Sequence, residues 1–318
     1  MDKFKVLSTS PTFGKYAPEA VEMLQDNECR LVQLTPEEVK DPERVMFHLR
    51  DADGWIFGVD KVTRSHLAAA PKLQVVAKHG TGVDSVDLEA ARERNVVIAN
   101  VPAANSNAVA DLTMGLLLAA ARKIVFADKQ TRAGGWGPIM GTELWGKTLG
   151  VIGLGAIGRG VVKRAAGFGM RFLAYDVFPN EQFARDYGVQ YLSIPEVLKE
   201  ADFVTIHAPL TAETRGLIGE QELAMMKSSA FLINTSRGPI VQEKALCIAL
   251  REGLIAGAAL DVFETEPPAQ SELMELDNVV VTPHMGAYTY EAMANISLIS
   301  ARNVIEVLRG NPPLYRVQ

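Results

Sequence analysis

The stretch that most constrains this chain runs over residues 147–176, KTLGVIGLGAIGRGVVKRAAGFGMRFLAYD. Residues 148–152 are largely apolar and β-branched, as a parallel strand buried on both faces should be. Gly153, Gly155 and Gly158 follow at the spacing G-x-G-x-x-G. Residues 159–168 read as an alanine-rich amphipathic helix, and residues 171–175 as a second strand closed by Asp176. In such a unit the first glycine allows a tight turn, the second lets a pyrophosphate approach the backbone, and the third lets helix and strand pack closely. The phosphates meet unpaired N–H groups at the positive end of the helix. A glycine triplet alone is weak evidence; here the strand, the helix and the acid all fall where a dinucleotide site needs them. Asp176 also selects the cofactor, because a carboxylate there accepts both ribose hydroxyls and repels a 2′-phosphate. No Arg or Lys stands beside it, only Val177, Phe178 and Pro179, so the expected cofactor is NAD.

At 318 residues the chain is long enough for two cores. Short β-type runs alternate with helical patterns throughout, which argues for a parallel α/β architecture. Residues 5–8, 30–33, 54–57, 73–77 and 96–99 read as strands of a first unit. Residues 201–206, 230–234, 256–262 and 278–281 continue the unit begun at residue 148. Residues 105–126 read as one long helix, apolar on most faces and so expected between packed masses. The glycine-rich residues 133–146, with Trp136 and Trp145, read as a loop that either meets another protein or is ordinarily half-buried. A final helix over 289–309 is expected to return to the first unit. The fold class is thus α/β: two Rossmann- or flavodoxin-like doubly wound parallel-sheet domains with a cleft between them. Residues 1–102 with 288–318 would bind substrate, and residues 103–287 would bind NAD.

Composition excludes several alternatives. A net charge of −6 gives no signal for nucleic acid. Cys29 and Cys247 suit a reducing cytosol, are expected to be small buried hydrophobes, and have no histidines at metal-ligand spacing, so no metal is expected. The N-terminal residues lack a signal peptide's apolar region, and the apolar run over 112–121 is too short to span a bilayer. The expectation is a cytoplasmic protein without a membrane role.

Ligands of parallel sheets bind at the carboxyl ends of strands, so those ends are where chemistry belongs. After the strand ending near Lys78 comes HGTGVDSVD, in which Gly80 and Gly82 free the backbone around Thr81 to hold a carboxylate; an ordinary strand-to-helix turn capped by Asp84 or Ser85 is the plainer alternative. Three later strand ends carry NTSRGPI with Arg237, DVFETEPP with Glu266, and TPHMGAYT with His284. Arginine's planar fork can hold a carboxylate or polarise a keto oxygen. An imidazole can deliver a proton as hydride reaches carbon, and a carboxylate beside it favours the charged, donating form. Together they are the set needed to reduce a 2-keto acid.

Taken in order, HGTGVDSVD, GLGAIG, HAPLTAETRGLI, NTSRGPIV, LDVFETEPP and TPHMGAYT resemble the D-isomer-specific 2-hydroxyacid dehydrogenases over nearly the whole chain, most of all the short D-3-phosphoglycerate dehydrogenase type. The resemblance implies catalysis by Arg237, Glu266 and His284. It implies NAD contacts at Gly153, Gly155, Ala156, Ile157, Gly158, Asp176, His207, Ala208, Pro209, Thr235, Ser236, Asp261 and Gly286, with Asp261 meeting the carboxamide. Substrate contacts would fall on Lys78, Thr81, Gly82, Arg237 and His284, and the assembly would be a homodimer joined through the nucleotide domains. Departures touch the substrate: FGVDK puts Asp60 where V-R-S is common, GPIM follows Trp136 in place of basic residues, and KHG replaces R-A-G. Two familiar positive charges for a substrate phosphate are therefore missing, and Lys61, Lys78 or His79 would have to replace them. Asp111 stands in place of the usual Glu, and no serine-sensing extension is expected after Gln318. The expected partner is a small 2-hydroxy or 2-keto acid, with glyoxylate or hydroxypyruvate reduction as the alternative. A non-catalytic reading, like the NADH-sensing C-terminal-binding-protein corepressors, is disfavoured because long disordered flanks and basic import tracts are absent.

Overall fold

Two wholly parallel sheets account for the twelve strands among residues 3–317, which the computed structural model describes. The first contains β1 (Phe4–Ser8), β2 (Cys29–Gln33), β3 (Gly54–Phe57), β4 (Val75–Lys78) and β5 (Val97–Ala99), in the order β2-β1-β3-β4-β5. Every residue of β3 is buried, which explains why its sequence runs GWIF with no polar alternation. The helix Tyr290–Leu308 belongs to this unit, which comprises Met1–Asn105 and Tyr288–Gln318. It is capped by Thr289, whose hydroxyl accepts the Ala292 N–H at 3.1 Å, and it buries Ala301 and Val304 with Val6, Val75 and Ala77 of the sheet.

The second unit, Ser106–Ala287, holds β6 (Thr148–Ile152), β7 (Arg171–Tyr175), β8 (Val189–Tyr191), β9 (Phe203–Ile206), β10 (Phe231–Asn234), β11 (Gly257–Leu260) and β12 (Val279–Val281). Their order is β12-β11-β10-β9-β6-β7-β8, so the winding reverses between β6 and β9, the doubly wound pattern. β6, β9, β10 and β11 are buried throughout.

Several expectations need correction. The helix after the glycine turn is Ala156–Ala165, not residues 159–168, because Gly158 lies inside its first turn. The helix expected over 105–126 is two, Ser106–Ala121 and Ile124–Arg132, broken where Lys123 takes a left-handed φ of 52°. The first buries most of its face in the second unit's core, whereas the second buries no residue; the chain turns where Arg122 and Lys123 need water. Strand β8 was not expected: its VQY, buried only at Val189 and lying at the sheet's edge, carries no apolar run. The strand expected over 73–77 is shifted to Val75–Lys78. Trp136 and Trp145 are exposed, at 94% and 72%, so ordinary partial burial does not account for them. Cys29 and Cys247 are both buried, as expected. Asp111 pairs with Arg164, which also donates to the Gly160 carbonyl at 2.9 Å; the shortened acid ties the helix Ser106–Ala121 to Ala156–Ala165. No helix among the described residues is long and apolar enough to cross a membrane.

Candidate active site

β10, β11 and β12 are adjacent and in register, with Asn234 beside Leu260 and Leu260 beside Val281. Their carboxyl ends therefore place Arg237, Asp261 and His284 on neighbouring loops. Asp261, 1% exposed, is the fastening point: it accepts the Thr282 hydroxyl at 2.6 Å and the N–H groups of Met285 at 2.8 Å and Gly286 at 2.9 Å. These three bonds fold the segment after β12 so that His284, with φ of 51°, is turned outward and half exposed. Its Nδ1 lies 2.8 Å from Glu266 Oε2. The other Glu266 oxygen accepts the Phe263 N–H at 3.1 Å. Burial works to raise the Glu266 pKa, but the His284 hydrogen bond and charge, the Phe263 N–H and the Arg237 charge outweigh it and hold the carboxyl below its ordinary value. An ionised carboxylate only accepts, so Nδ1 carries the hydrogen and Nε2 is the nitrogen left to exchange a proton.

Arg237 sits in a turn closed by Asn234, whose side chain donates to the Arg237 carbonyl at 3.0 Å and accepts the Ser236 N–H at 3.0 Å. The Ser236 hydroxyl reaches the Ala208 carbonyl beyond β9 at 2.6 Å, and Thr235 Oγ1 lies 2.9 Å from buried Thr113 Oγ1. Gly238 is required by space: a β-carbon there would stand 1.9 Å from the Phe263 carbonyl carbon. The Arg237 turn is thereby pressed against the loop that carries Glu266. Asn234, Thr113 and Thr282 were missed as members of this site. Only Asn234 left a signal, since an Asn at a strand end commonly closes a turn through its side chain.

At the switch point of the same sheet, Gly153 has φ of 94° and a β-carbon on Gly158 would meet the Gly153 carbonyl oxygen at 2.3 Å. Gly155 faces open space, and no side chain caps the helix that begins at Ala156 and Ile157, so its first N–H groups have neither an intrahelical nor a capping partner. Asp176 accepts the N–H groups of Leu154 at 2.6 Å and Phe178 at 2.8 Å; a carboxylate has about four acceptor sites, which leaves room for a ribose. His207, before Ala208 and Pro209, is half-buried as a residue, but its Nδ1 is out of water without a partner while Nε2 lies 3.0 Å from Thr205 Oγ1. Burial pushes its pKa down to about 3, so the ring is neutral. Lys78, Thr81 and Gly82 lie in the first unit. Thr81 is held there by its hydroxyl on the Val101 carbonyl at 3.0 Å and by Asn100, which donates to the Thr81 carbonyl at 2.8 Å.

Residues 114–286 match the model of the D-isomer specific 2-hydroxyacid dehydrogenase, NAD binding domain. The chain is 47% identical to a D-3-phosphoglycerate dehydrogenase of Methanocaldococcus jannaschii over 84% of its own length, and spans about half, 52%, of that protein. It is 43% identical to a glyoxylate reductase of Thermococcus litoralis, covering 86% of this chain and 87% of that one. A D-lactate dehydrogenase of Aquifex aeolicus, solved with NAD and lactic acid, superposes with a TM-score of 0.85 at 29% identity over 96% of each chain. The chain belongs to the D-isomer-specific 2-hydroxyacid dehydrogenases, the NAD-dependent oxidoreductases of that name. The open glycine turn, the uncapped helix start, the acceptor sites left on Asp176 and the orphaned His207 nitrogen all fit NAD.

Proposed function

We propose that this chain interconverts a D-2-hydroxy acid and its 2-keto acid, with Arg237, Glu266 and His284 as the catalytic residues. The observation that carries the reading is the 2.8 Å contact of His284 Nδ1 with Glu266, which leaves Nε2 to exchange a proton on the strand ends that also hold Arg237. Arg237 orients and polarises the carbonyl. His284 Nε2 gives a proton to the carbonyl oxygen in reduction and takes it back in oxidation, while Glu266 stabilises the charged imidazole. NAD, when bound, supplies or accepts the hydride. Gly153 to Gly158 and Asp176 would hold its pyrophosphate and ribose, and the segments around His207, Thr235, Asp261 and Gly286 its nicotinamide half. Thr81 and Gly82 would take the substrate carboxylate.

Two substrates have support. Identity to a D-3-phosphoglycerate dehydrogenase favours a phosphorylated acid, whereas the glyoxylate reductase, matched along most of its length, favours an unphosphorylated one. A second copy of the chain over the exposed Trp136 and Trp145, and a cytoplasmic location, complete the proposal. NADH oxidation with glyoxylate, pyruvate, hydroxypyruvate and phosphohydroxypyruvate tests it. Turnover of at least one is expected, and His284→Ala should slow it roughly a hundred-fold while NADH still binds. Failure of all four would refute the assignment.

A further inference from the structure

The loop that carries Glu266 leaves β11 through buried Asp261, Val262 and Phe263, then runs exposed through Glu264, Thr265, Glu266 and Pro267. Packing does little to fix a segment this exposed, so its geometry depends on hydrogen bonds. One is internal, from the Phe263 N–H to Glu266 at 3.1 Å. Others come from Glu243, the first residue of the helix Glu243–Arg251. One Glu243 carboxylate oxygen accepts the Glu264 N–H, and the other accepts the Ser271 hydroxyl at 3.0 Å. The Glu243 N–H in turn donates to Glu264 Oε1 at 3.0 Å.

The exchange suits both partners. The first N–H groups of a helix lack intrahelical acceptors, and the Gln242 side chain, at the N-cap position, accepts none of them. Glu264 supplies an acceptor from 21 positions away and sets its negative charge at the positive end of the helix. That helix is a fixed body: it buries Leu246, Cys247, Ala249 and Leu250 in the second unit's core. Glu243 thus ties the loop down on either side of Glu266, and every residue of the arrangement belongs to the second unit.

We propose that Glu243 is a positioning residue: by clamping Glu264 and Ser271 it holds the Glu266 carboxylate where His284 Nδ1 meets it. Glu243 acts through Glu266 and exchanges no proton itself. Without the clamp the exposed loop is free to shift, and a displacement of about 1 Å between catalytic groups can cost about a hundredfold in rate. The inference rests on the reading of Glu266 and His284 as catalytic residues.

The test measures kcat/KM for reduction at saturating NADH, at the alkaline end of the pH profile, with NADH affinity titrated separately. The substrate is whichever of glyoxylate, pyruvate, hydroxypyruvate and phosphohydroxypyruvate the wild type reduces fastest. Glu243→Ala should lower kcat/KM by about tenfold while NADH affinity stays within about twofold. Glutamine keeps the clamp, its carbonyl accepting the Glu264 N–H and its amide donating to the Ser271 hydroxyl, so Glu243→Gln should stay within about threefold of wild type. In a Glu266→Gln background, Glu243→Ala should cost less than about twofold more, because the group it positions is already impaired. Should Glu243→Ala fail to fold, Glu243→Asp keeps an acid in the first turn of the helix, is one methylene too short for the clamp, and carries the same comparison. Wild-type kcat/KM in the folded variant, Glu243→Gln as slow as that variant, or the full loss repeated in the Glu266→Gln background overturns the inference and leaves the catalytic pair standing. Wild-type kcat/KM in Glu266→Gln overturns the catalytic pair and the inference together.

Discussion

At His284 the backbone takes φ of 51°, a left-handed conformation that costs a residue bearing a β-carbon about 1–3 kcal/mol. The three hydrogen bonds accepted by Asp261 hold it there, and the result is an imidazole aimed at Glu266. Glu266 has its pKa lowered from the ordinary 4.5, so it is ionised throughout the range above that value. Its contribution to the pair is present above pH 4.5 and is lost only as pH falls through its depressed pKa. In the proposed mechanism reduction needs the charged imidazole that Glu266 favours, so Glu266→Gln should lower kcat/KM for reduction, and most at the alkaline end of its pH profile. Oxidation, which needs the neutral base, should stay active to lower pH. Superimposable profiles of kcat/KM against pH in wild type and variant would mean that Glu266 does not tune His284. At Asp176, replacement by Ala should weaken NAD binding and narrow the gap to NADP, read by titration of both cofactors. The variant also loses the bonds to Leu154 and Phe178, so the NAD-to-NADP ratio, rather than either affinity alone, is the informative quantity.

The loops after β10, β11 and β12 act as one element because each is fastened to its neighbour. Gly238 closes the tightest of these junctions, where a β-carbon would fall 1.9 Å from backbone rather than from a side chain that could swing away. Gly238→Ala is expected to cost about 1–3 kcal/mol of stability through overpacking. It should also shift Arg237 and Glu266 together, lowering kcat by about tenfold or more while NADH affinity changes far less. Urea unfolding and stopped-flow turnover on the same preparation would separate the two effects. Wild-type stability and kcat would show that the loops accommodate the extra carbon without moving the proposed catalytic groups.

For the whole molecule, two exposed tryptophans on one glycine-rich loop are an unusual surface for a chain that acts alone. If a second copy covers them, Trp136→Glu should convert a dimer to monomer in sedimentation at micromolar concentration; an unchanged sedimentation coefficient would place the dimer contact elsewhere. The doubly wound class was legible because β6, the glycine turn, the helix Ala156–Ala165 and Asp176 are local: one βαβ unit prints its periodicity and its turn chemistry within thirty residues. The same locality marked Arg237, Glu266 and His284, each at the end of its own strand. Sequence by itself thus determined the fold class and the cofactor, and it pointed to the residues proposed to react. Tertiary structure alone decided that Glu266 meets His284 at 2.8 Å, that Thr113 braces the Arg237 turn, and that Asp60 is pinned by Thr9 at the first sheet's reversal. Those contacts join residues as much as 122 positions apart, and periodicity carries no information over such distances. They depend on strand order and register, which are set by how the two sheets assemble and by the buried groups that must find partners when they do.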